Sequence, residues 1–129
     1  MKINSVKETC LYVSDLEKSR NFYHNFLGLE VIGFIENRHV FFRAGNSVLL
    51  CFIATATRND QHLPPHDGSG NHHLAFEVPL EEYEKWKQKI LDSEIPVEHI
   101  HEWPKGFQSF YFRDPDGNLL EIIQPGMWD

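Results

Sequence analysis

The sequence predicts an α+β protein built from two copies of one strand–helix–strand–strand–strand unit. Three observations carry this prediction: a loop of turn-forming residues at 57–69, the same order of strand and helix patterns on either side of that loop, and a short sequence similarity between the two halves. The similar stretches are FFRAGN in the first half and YFRDPDGN in the second. A repeat of this length indicates two copies of one supersecondary unit. We therefore predict modules at 1–56 and 70–126 within one domain, 1–129.

The first module opens with a short strand that ends at Val13 and leads into a helix. Ser14 and Glu17 fit a capping box, in which each side chain binds a free backbone N–H group of the first turn. Gly28 suits the end of the helix, because glycine adopts the left-handed conformation without strain. The predicted buried stripe of this helix consists of Leu16, Tyr23, Phe26 and Leu27. Three strand-like runs follow: LEVIGFIE, HVFFRA and SVLLCFIA.

The second module repeats this order. Its first strand ends at Val78, and Pro79 suits the first turn of the helix that follows. The predicted buried stripe of that helix consists of Leu80, Tyr83, Trp86 and Ile90. Three further strands are predicted in IPVEHIHE, FQSFYFRD and NLLEIIQ.

Composition and charge exclude several classes of protein. A net charge of −7 without a basic stripe argues against a nucleic-acid partner. No apolar run approaches the roughly 18 to 20 residues that cross a bilayer, and the N-terminus has no apolar signal segment, so we predict a cytoplasmic protein with no membrane partner. Two cysteines, Cys10 and Cys51, do not make a disulfide framework and are predicted to be reduced.

Three side chains that can bind metal occupy related positions in the two modules. Glu8 lies five residues before Val13, and His73 lies five residues before Val78, so the two are repeat-equivalent. Strand alternation places both opposite the more apolar face, which should pack on the helix. Glu121 interrupts the apolar strand LLEII, where a carboxylate is unfavourable unless it has a partner. We predict that these three side chains converge on one concave surface.

Three blocks of the chain resemble the signature blocks of the vicinal oxygen chelate superfamily: LYVSDLEKSRNFYHNFLGLEV, HHLAFEV and FYFRDPDGNLLEI. That superfamily includes glyoxalase I, extradiol dioxygenases, methylmalonyl-CoA epimerase, fosfomycin-resistance enzymes and the metal-free bleomycin-resistance proteins. The resemblance implies paired βαβββ modules in an open, cup-shaped mixed sheet with the helices on its outer face. It also implies a homodimer, since dimerisation commonly completes the fold.

The resemblance implies a metal site as well, because metal-using members take their ligands from the first and last strands of the modules. It assigns a divalent ion (Mn, Ni, Zn, Co or Fe) to Glu8, His73 and Glu121, with the two carboxylates as the catalytic groups. Glu8 stands where the family more often has histidine or glutamine, and it could serve instead as a general base. The first-module equivalent of Glu121 falls at Leu49 or Cys51, whereas glyoxalase I typically has glutamate there.

Further candidates for substrate contact are Ser109 and Tyr111, because the stretch QSFYF resembles one that helps to bind substrate in fosfomycin-modifying members. Cys51 is a third candidate, with inert core as its alternative. His99 and His101 are interpreted as surface residues of an edge strand, with the option that His101 faces the cavity.

The sequence favours a metal-dependent lyase or isomerase that chelates vicinal oxygens of a small substrate. Extradiol oxygenation ranks lower, because it uses two histidines and one carboxylate. Fosfomycin modification requires a basic cluster for the phosphonate, and only Lys105 lies near the right region. The alternative class is a metal-free protein that sequesters an aromatic or cationic small molecule. His73 and Glu121 count against that alternative, because such a protein needs no ligand set.

Overall fold

The computed structural model describes residues 1–129 and divides the chain into two compact units, Met1–Gly70 and Asn71–Asp129. Each unit contains one open four-stranded mixed sheet together with its helices. This architecture confirms the predicted α+β class, and both units follow the predicted order of strand, helix and three strands. None of the helices combines the length and apolar character needed to span a bilayer.

The first unit has its strands in the order β1-β4-β3-β2, with β1 parallel to β4 and the other pairs antiparallel. Its elements are β1 (Glu8–Tyr12), α1 (Leu16–Arg20) with a π-helical continuation (Asn21–Phe26), β2 (Glu30–Ile35), β3 (His39–Ala44), β4 (Ser47–Phe52) and the single turn α2 (Ala54–Thr57). The three predicted strands of this module are therefore confirmed. The turn α2, at the edge of the predicted loop, had no clear signal in the sequence.

Helix α1 begins one residue later than the capping box predicted. Asp15 is the N-cap residue, and its carboxylate accepts a hydrogen bond from the backbone N–H of Lys18 at 3.1 Å. The predicted cap on Ser14 is therefore wrong, because an aspartate one position later supplies the acceptor instead. The predicted helix end is confirmed by Gly28, which adopts a φ of 84°.

The second unit has the strand order β5-β8-β7-β6, with β5 parallel to β8. Its elements are β5 (His73–Glu77), a 3₁₀ turn (Leu80–Glu82), α3 (Tyr83–Leu91), β6 (His99–Glu102), a second 3₁₀ turn (Pro104–Gly106), β7 (Gln108–Arg113) and β8 (Leu119–Ile123). Tyr83 and Ile90 are buried as predicted, whereas Leu80 is 62% exposed. Leu80 therefore does not belong to the buried stripe, because it lies in the 3₁₀ turn and not in α3.

Each sheet buries one face against its helix. In the first unit Tyr23 packs on Phe42 of β3 with ring centroids 5.5 Å apart. In the second unit Tyr83 packs on Phe110 of β7 at 5.6 Å. Strand alternation then turns Glu8 away from the buried Leu11. In the second sheet the same alternation places His73, Ser109, Tyr111 and Glu121 on the face that does not pack on a helix.

The register of the parallel strands corrects one predicted equivalence. Strand β5 pairs Ala75 with Glu121, and β1 pairs Cys10 with Leu50. Ala75 and Cys10 each lie two residues after the first residue of their strand. Leu50 is therefore the equivalent of Glu121, and the sequence prediction named the residues on either side of it. The equivalent position is apolar in any case.

The Tyr83→Phe substitution should raise the free energy of unfolding at pH 7 by up to about 1 kcal/mol, because the Tyr83 hydroxyl is buried without a hydrogen-bond partner. Burial, with a smaller contribution from Glu84 and Glu121, raises the pKa of Tyr83 to about 12. The unfolded chain ionises near pH 10, so the wild type loses stability as the pH rises from 10 towards 12, and the gain from Tyr83→Phe should grow over that range. Urea unfolding at pH 7 and pH 11 measures both effects. A loss of stability at pH 7 would contradict the prediction.

Candidate metal centre

His73 and Glu121 meet on the adjacent strands β5 and β8. The His73 Nε2 atom lies 3.3 Å from Glu121 Oε2, and the other ring nitrogen, Nδ1, lies 2.9 Å from the carbonyl oxygen of Leu119. A carbonyl oxygen can only accept, so Nδ1 carries a proton and donates it. In the neutral ring, Nε2 then directs its lone pair towards a carboxylate oxygen. His73 Nε2 and Glu121 Oε2 are both electron-rich, so this arrangement requires a cation or a second proton between the two atoms.

The burial of Glu121 increases this requirement. Glu121 is 5% exposed, and its Oε1 atom is buried without a hydrogen-bond partner. A buried, unpaired carboxylate oxygen is unfavourable. The His73 side chain above it is 49% exposed, which gives an ion access from solvent. One imidazole nitrogen and one carboxylate are a donor set that suits a first-row divalent ion. His73 and Glu121 therefore fit the predicted metal.

The structure does not assemble the predicted group of three within the chain. No three His, Cys, Asp or Glu side chains lie in an arrangement that could hold a metal ion. Glu8 is exposed at the start of β1, in the first unit. Its role as a third ligand or as a general base stays a prediction.

Tyr111 lies beside this pair. It is the register partner of Glu121 on β7, and its ring stacks near His73 with centroids 6.2 Å apart. Burial raises the pKa of Tyr111, hydrogen bonding to Glu121 raises it further, and the Ser109 hydroxyl acts in the opposite direction. The phenol therefore stays protonated at neutral pH and is available as a hydrogen-bond donor. Its predicted contact with substrate stays a prediction.

Ser109 lies behind Tyr111 and has no exposed surface. Its Oγ atom accepts a hydrogen bond from the indole Nε1–H of Trp103 at 2.9 Å. Contact of Ser109 with substrate stays a prediction. The hydroxyl is hydrogen-bonded both to Trp103 and to Tyr111. No local signal identified the contact with Trp103, because it forms across the turn Pro104–Gly106.

Cys51 lies outside the candidate site. It is fully buried and pairs with Leu11 in the register of β1 and β4. Leu11 belongs to the face that packs on the helix, so the thiol has no access to a substrate. The predicted substrate contact stays a prediction, and the burial of Cys51 favours the alternative of an inert core cysteine.

A buried turn holds strands β5 and β8 in register. The Asp114 carboxylate accepts hydrogen bonds from the backbone N–H groups of Asp116 at 3.0 Å and Asn118 at 2.8 Å, and from Asn118 Nδ2 at 2.9 Å. Asn118 Oδ1 in turn accepts from the backbone N–H of His72 at 2.9 Å. The turn therefore fixes the start of β8 against β5, which places His73 beside Glu121.

The Asp114→Ala substitution should lower the free energy of unfolding by about 3 kcal/mol, because it removes three hydrogen bonds and leaves buried donors unpaired. Urea denaturation measures this loss. The exposed carboxylate Glu81 provides the control, since Glu81→Ala should change stability by about 0.5 kcal/mol or less. Equal effects of the two substitutions would show that the turn contributes no special stability.

The fold and the site together define a class of protein. A repeated open α+β unit that carries a histidine and a carboxylate on its first and last strands is the architecture of glyoxalase-like proteins. Residues 2–122 match the family described as the Glyoxalase/Bleomycin resistance protein/Dioxygenase superfamily. The chain belongs to this superfamily, which confirms the resemblance found in its sequence blocks.

Several relatives are similar over almost the whole chain. Glutathione transferase FosA of Serratia marcescens is 31% identical, over 93% of this chain and 80% of its own length. Metallothiol transferase FosB of Staphylococcus epidermidis is 26% identical, over 95% of this chain and 82% of its own. The crystal structure of lactoylglutathione lyase from Agrobacterium tumefaciens superposes with a TM-score of 0.93 at 34% identity, covering 99% of this chain and 98% of its own. All three of these relatives are named as enzymes.

Proposed function

We propose that this protein is a divalent-metal-dependent enzyme that acts on a small oxygenated substrate. One observation carries the proposal. His73 Nδ1 donates its proton to the Leu119 carbonyl oxygen, so the Nε2 lone pair points at the buried Glu121 carboxylate 3.3 Å away. A hydrogen bond that fixes the second nitrogen of an imidazole is the usual support of a metal-binding histidine. A structural histidine–glutamate pair would instead require an extra proton.

The residues of this chain take distinct roles in the proposed site. A bound divalent ion would polarise neighbouring oxygens of the substrate and stabilise the negative charge that develops on them. His73 and Glu121 hold the ion, and Tyr111 donates a hydrogen bond on the same face of the sheet. Ser109 orients that phenol through its contact with Trp103.

We assign the third ligand to Glu8 of a second copy of the chain. The family resemblance implies a homodimer, in which a second copy can supply this ligand. In a symmetric dimer each copy would give Glu8 to one site and receive it at the other. Glu8 carries a negative charge and, where it does not bind the ion, is placed to accept a proton as a general base.

The relatives favour thiol-linked chemistry within this class. Two of them are named for glutathione and one is named a metallothiol transferase. We therefore rank a glutathione-linked lyase first. Thiol transfer to an activated small molecule comes second, although the basic residues for a phosphonate remain few. Isomerase chemistry without a thiol, extradiol oxygenation and metal-free sequestration rank lower. A cytoplasmic location stays a prediction.

Metal content tests the proposal directly. Protein purified without chelator or affinity-tag metal should contain close to one divalent ion per chain. Mn²⁺, Ni²⁺, Zn²⁺, Co²⁺ or Fe²⁺ should raise its melting temperature, because an ion that binds only the folded state stabilises it. Absence of metal together with the absence of any thermal shift would overturn the proposed function.

Turnover assays separate the candidate reactions. The metal-loaded protein is incubated with an α-ketoaldehyde and glutathione, and separately with fosfomycin and glutathione. Product in the first reaction alone supports the lyase, and product in the second alone supports the transferase. Turnover of neither, by a protein that holds its metal, would exclude both glutathione-linked reactions and leave a metal-dependent isomerase or an extradiol oxygenase.

A further inference from the structure

A second pair of metal-binding side chains lies on β6, the edge strand of the second sheet. His99 and His101 are two residues apart and therefore point to the same side of the strand. The Nε2 atom of His99 lies 3.2 Å from the Nδ1 atom of His101. His99 is exposed and His101 is half-buried, so both rings can be reached from solvent.

We propose that His99 and His101 form a second transition-metal site, distinct from the His73–Glu121 centre. With metal–nitrogen distances of about 2.0–2.1 Å, the observed nitrogen separation of 3.2 Å corresponds to a nitrogen–metal–nitrogen angle of about 100°. That angle lies between the square-planar and tetrahedral values, so the two imidazoles can occupy neighbouring positions around one ion. Water would complete the coordination shell at this open edge of the sheet.

The surroundings of the pair select the kind of ion. The nearby carboxylates are unavailable: Glu98 is held by Arg113 at 2.7 Å, and Glu102 follows His101 on β6 and so points to the opposite face. The donor set is therefore two neutral nitrogens. Imidazole pairs favour Cu²⁺, Ni²⁺ and Zn²⁺ over Mg²⁺, Ca²⁺ and Mn²⁺, which prefer oxygen ligands. The ligand predicted here is a nitrogen-seeking divalent ion.

The two sites are separated by strand β7. The register pairs His99 with Tyr111 and Tyr111 with Glu121, so β6 and the metal-binding strand β8 lie on either side of β7. Two inter-strand spacings amount to roughly 10 Å, which leaves room for two separate ions. The second site therefore does not depend on the proposed function and would survive the failure of the His73–Glu121 centre.

Trp103 supplies a built-in reporter for this site, because its indole ring packs edge-on to His101 with centroids 4.4 Å apart. The test titrates Ni²⁺ into the full-length His73→Ala variant, in which the first centre is disabled, by calorimetry and tryptophan fluorescence. Ni²⁺ is preferred to Cu²⁺ because the partly exposed thiol of Cys10 could reduce copper. We expect one equivalent of Ni²⁺ to bind and to quench the fluorescence.

Removing either imidazole should weaken Ni²⁺ binding at least about tenfold, because a single ligand loses the effective concentration that its partner provides. The variants are His99→Ala and His101→Ala in the His73→Ala background, with circular dichroism to verify the fold. His62→Ala removes an exposed loop histidine and should leave the affinity unchanged. Trp103→Phe should abolish the quenching while calorimetry still detects the ion.

Three results would overturn the proposal. One is Ni²⁺ binding of equal strength in the His99→Ala and His101→Ala variants and in their parent. Another is an equal loss of affinity in His62→Ala, which would indicate scattered binding to surface imidazoles. The last is no binding to the parent by either calorimetry or fluorescence. Because the parent lacks His73, none of these results bears on the first metal centre.

Discussion

The His73→Ala substitution should abolish metal binding at the His73–Glu121 centre and, with it, turnover. Mn²⁺ is the ion that tests this centre, because the His99–His101 pair favours nitrogen-seeking ions. His73 supplies the nitrogen ligand of the candidate centre, and its second nitrogen is anchored to Leu119. Losing even a supporting contact of a metal ligand typically costs 10- to 100-fold in affinity, so loss of the ligand itself should cost on the order of 100-fold or more. Elemental analysis of the purified protein and the metal-induced shift in melting temperature measure this loss.

The neighbouring histidine provides a matched control. His72 lies just before β5 and by strand alternation points to the opposite side from His73. His72→Ala should therefore retain both the metal and the thermal shift. Glu121→Gln should behave like His73→Ala, because an amide keeps the shape of the carboxylate but removes its charge. Full metal occupancy in either His73→Ala or Glu121→Gln would exclude the assigned centre.

Strand alternation made the fold, and the position of His73 and Glu121 on one face of the sheet, predictable from the sequence. The side chains of a strand alternate strictly, so the apolar residues of each module identify the buried face and turn His73 to the other one. Glu121 stood out because a carboxylate in an apolar strand requires a partner. The equivalence of Leu50 with Glu121 was missed by one residue, since register depends on pairing between strands and not on the pattern within one.

Contacts that form across turns could not be predicted in the same way. The hydrogen bond from Trp103 to Ser109 depends on the path of the 3₁₀ turn Pro104–Gly106 between them. The hydrogen bond between Asn118 and the Asp114 carboxylate likewise forms only when β7 and β8 are paired. Local sequence specifies the type of a turn, whereas the partners of its side chains depend on where the strands lie.

Mixing the Glu8→Ala and His73→Ala variants should restore Mn²⁺ binding at the His73–Glu121 centre, which neither variant shows alone. If Glu8 acts at the site of a second copy, a mixed dimer contains one site with both defects and one site with none. Random exchange of subunits makes about half of the dimers mixed, so about a quarter of all sites should regain the ion. The measurement is metal content and glutathione-dependent turnover after the two variants are unfolded and refolded together.

A second mixture controls for refolding. His73 and Glu121 lie in the same unit of one chain, so mixing His73→Ala with Glu121→Ala leaves every site defective whichever copy supplies Glu8. That mixture should regain nothing. If the first mixture also regains nothing while refolded wild type recovers its metal, Glu8 does not act in a second copy. Metal retained by Glu8→Ala alone would instead mean that Glu8 is no ligand, and a loss of turnover in that metal-loaded variant would identify it as the general base.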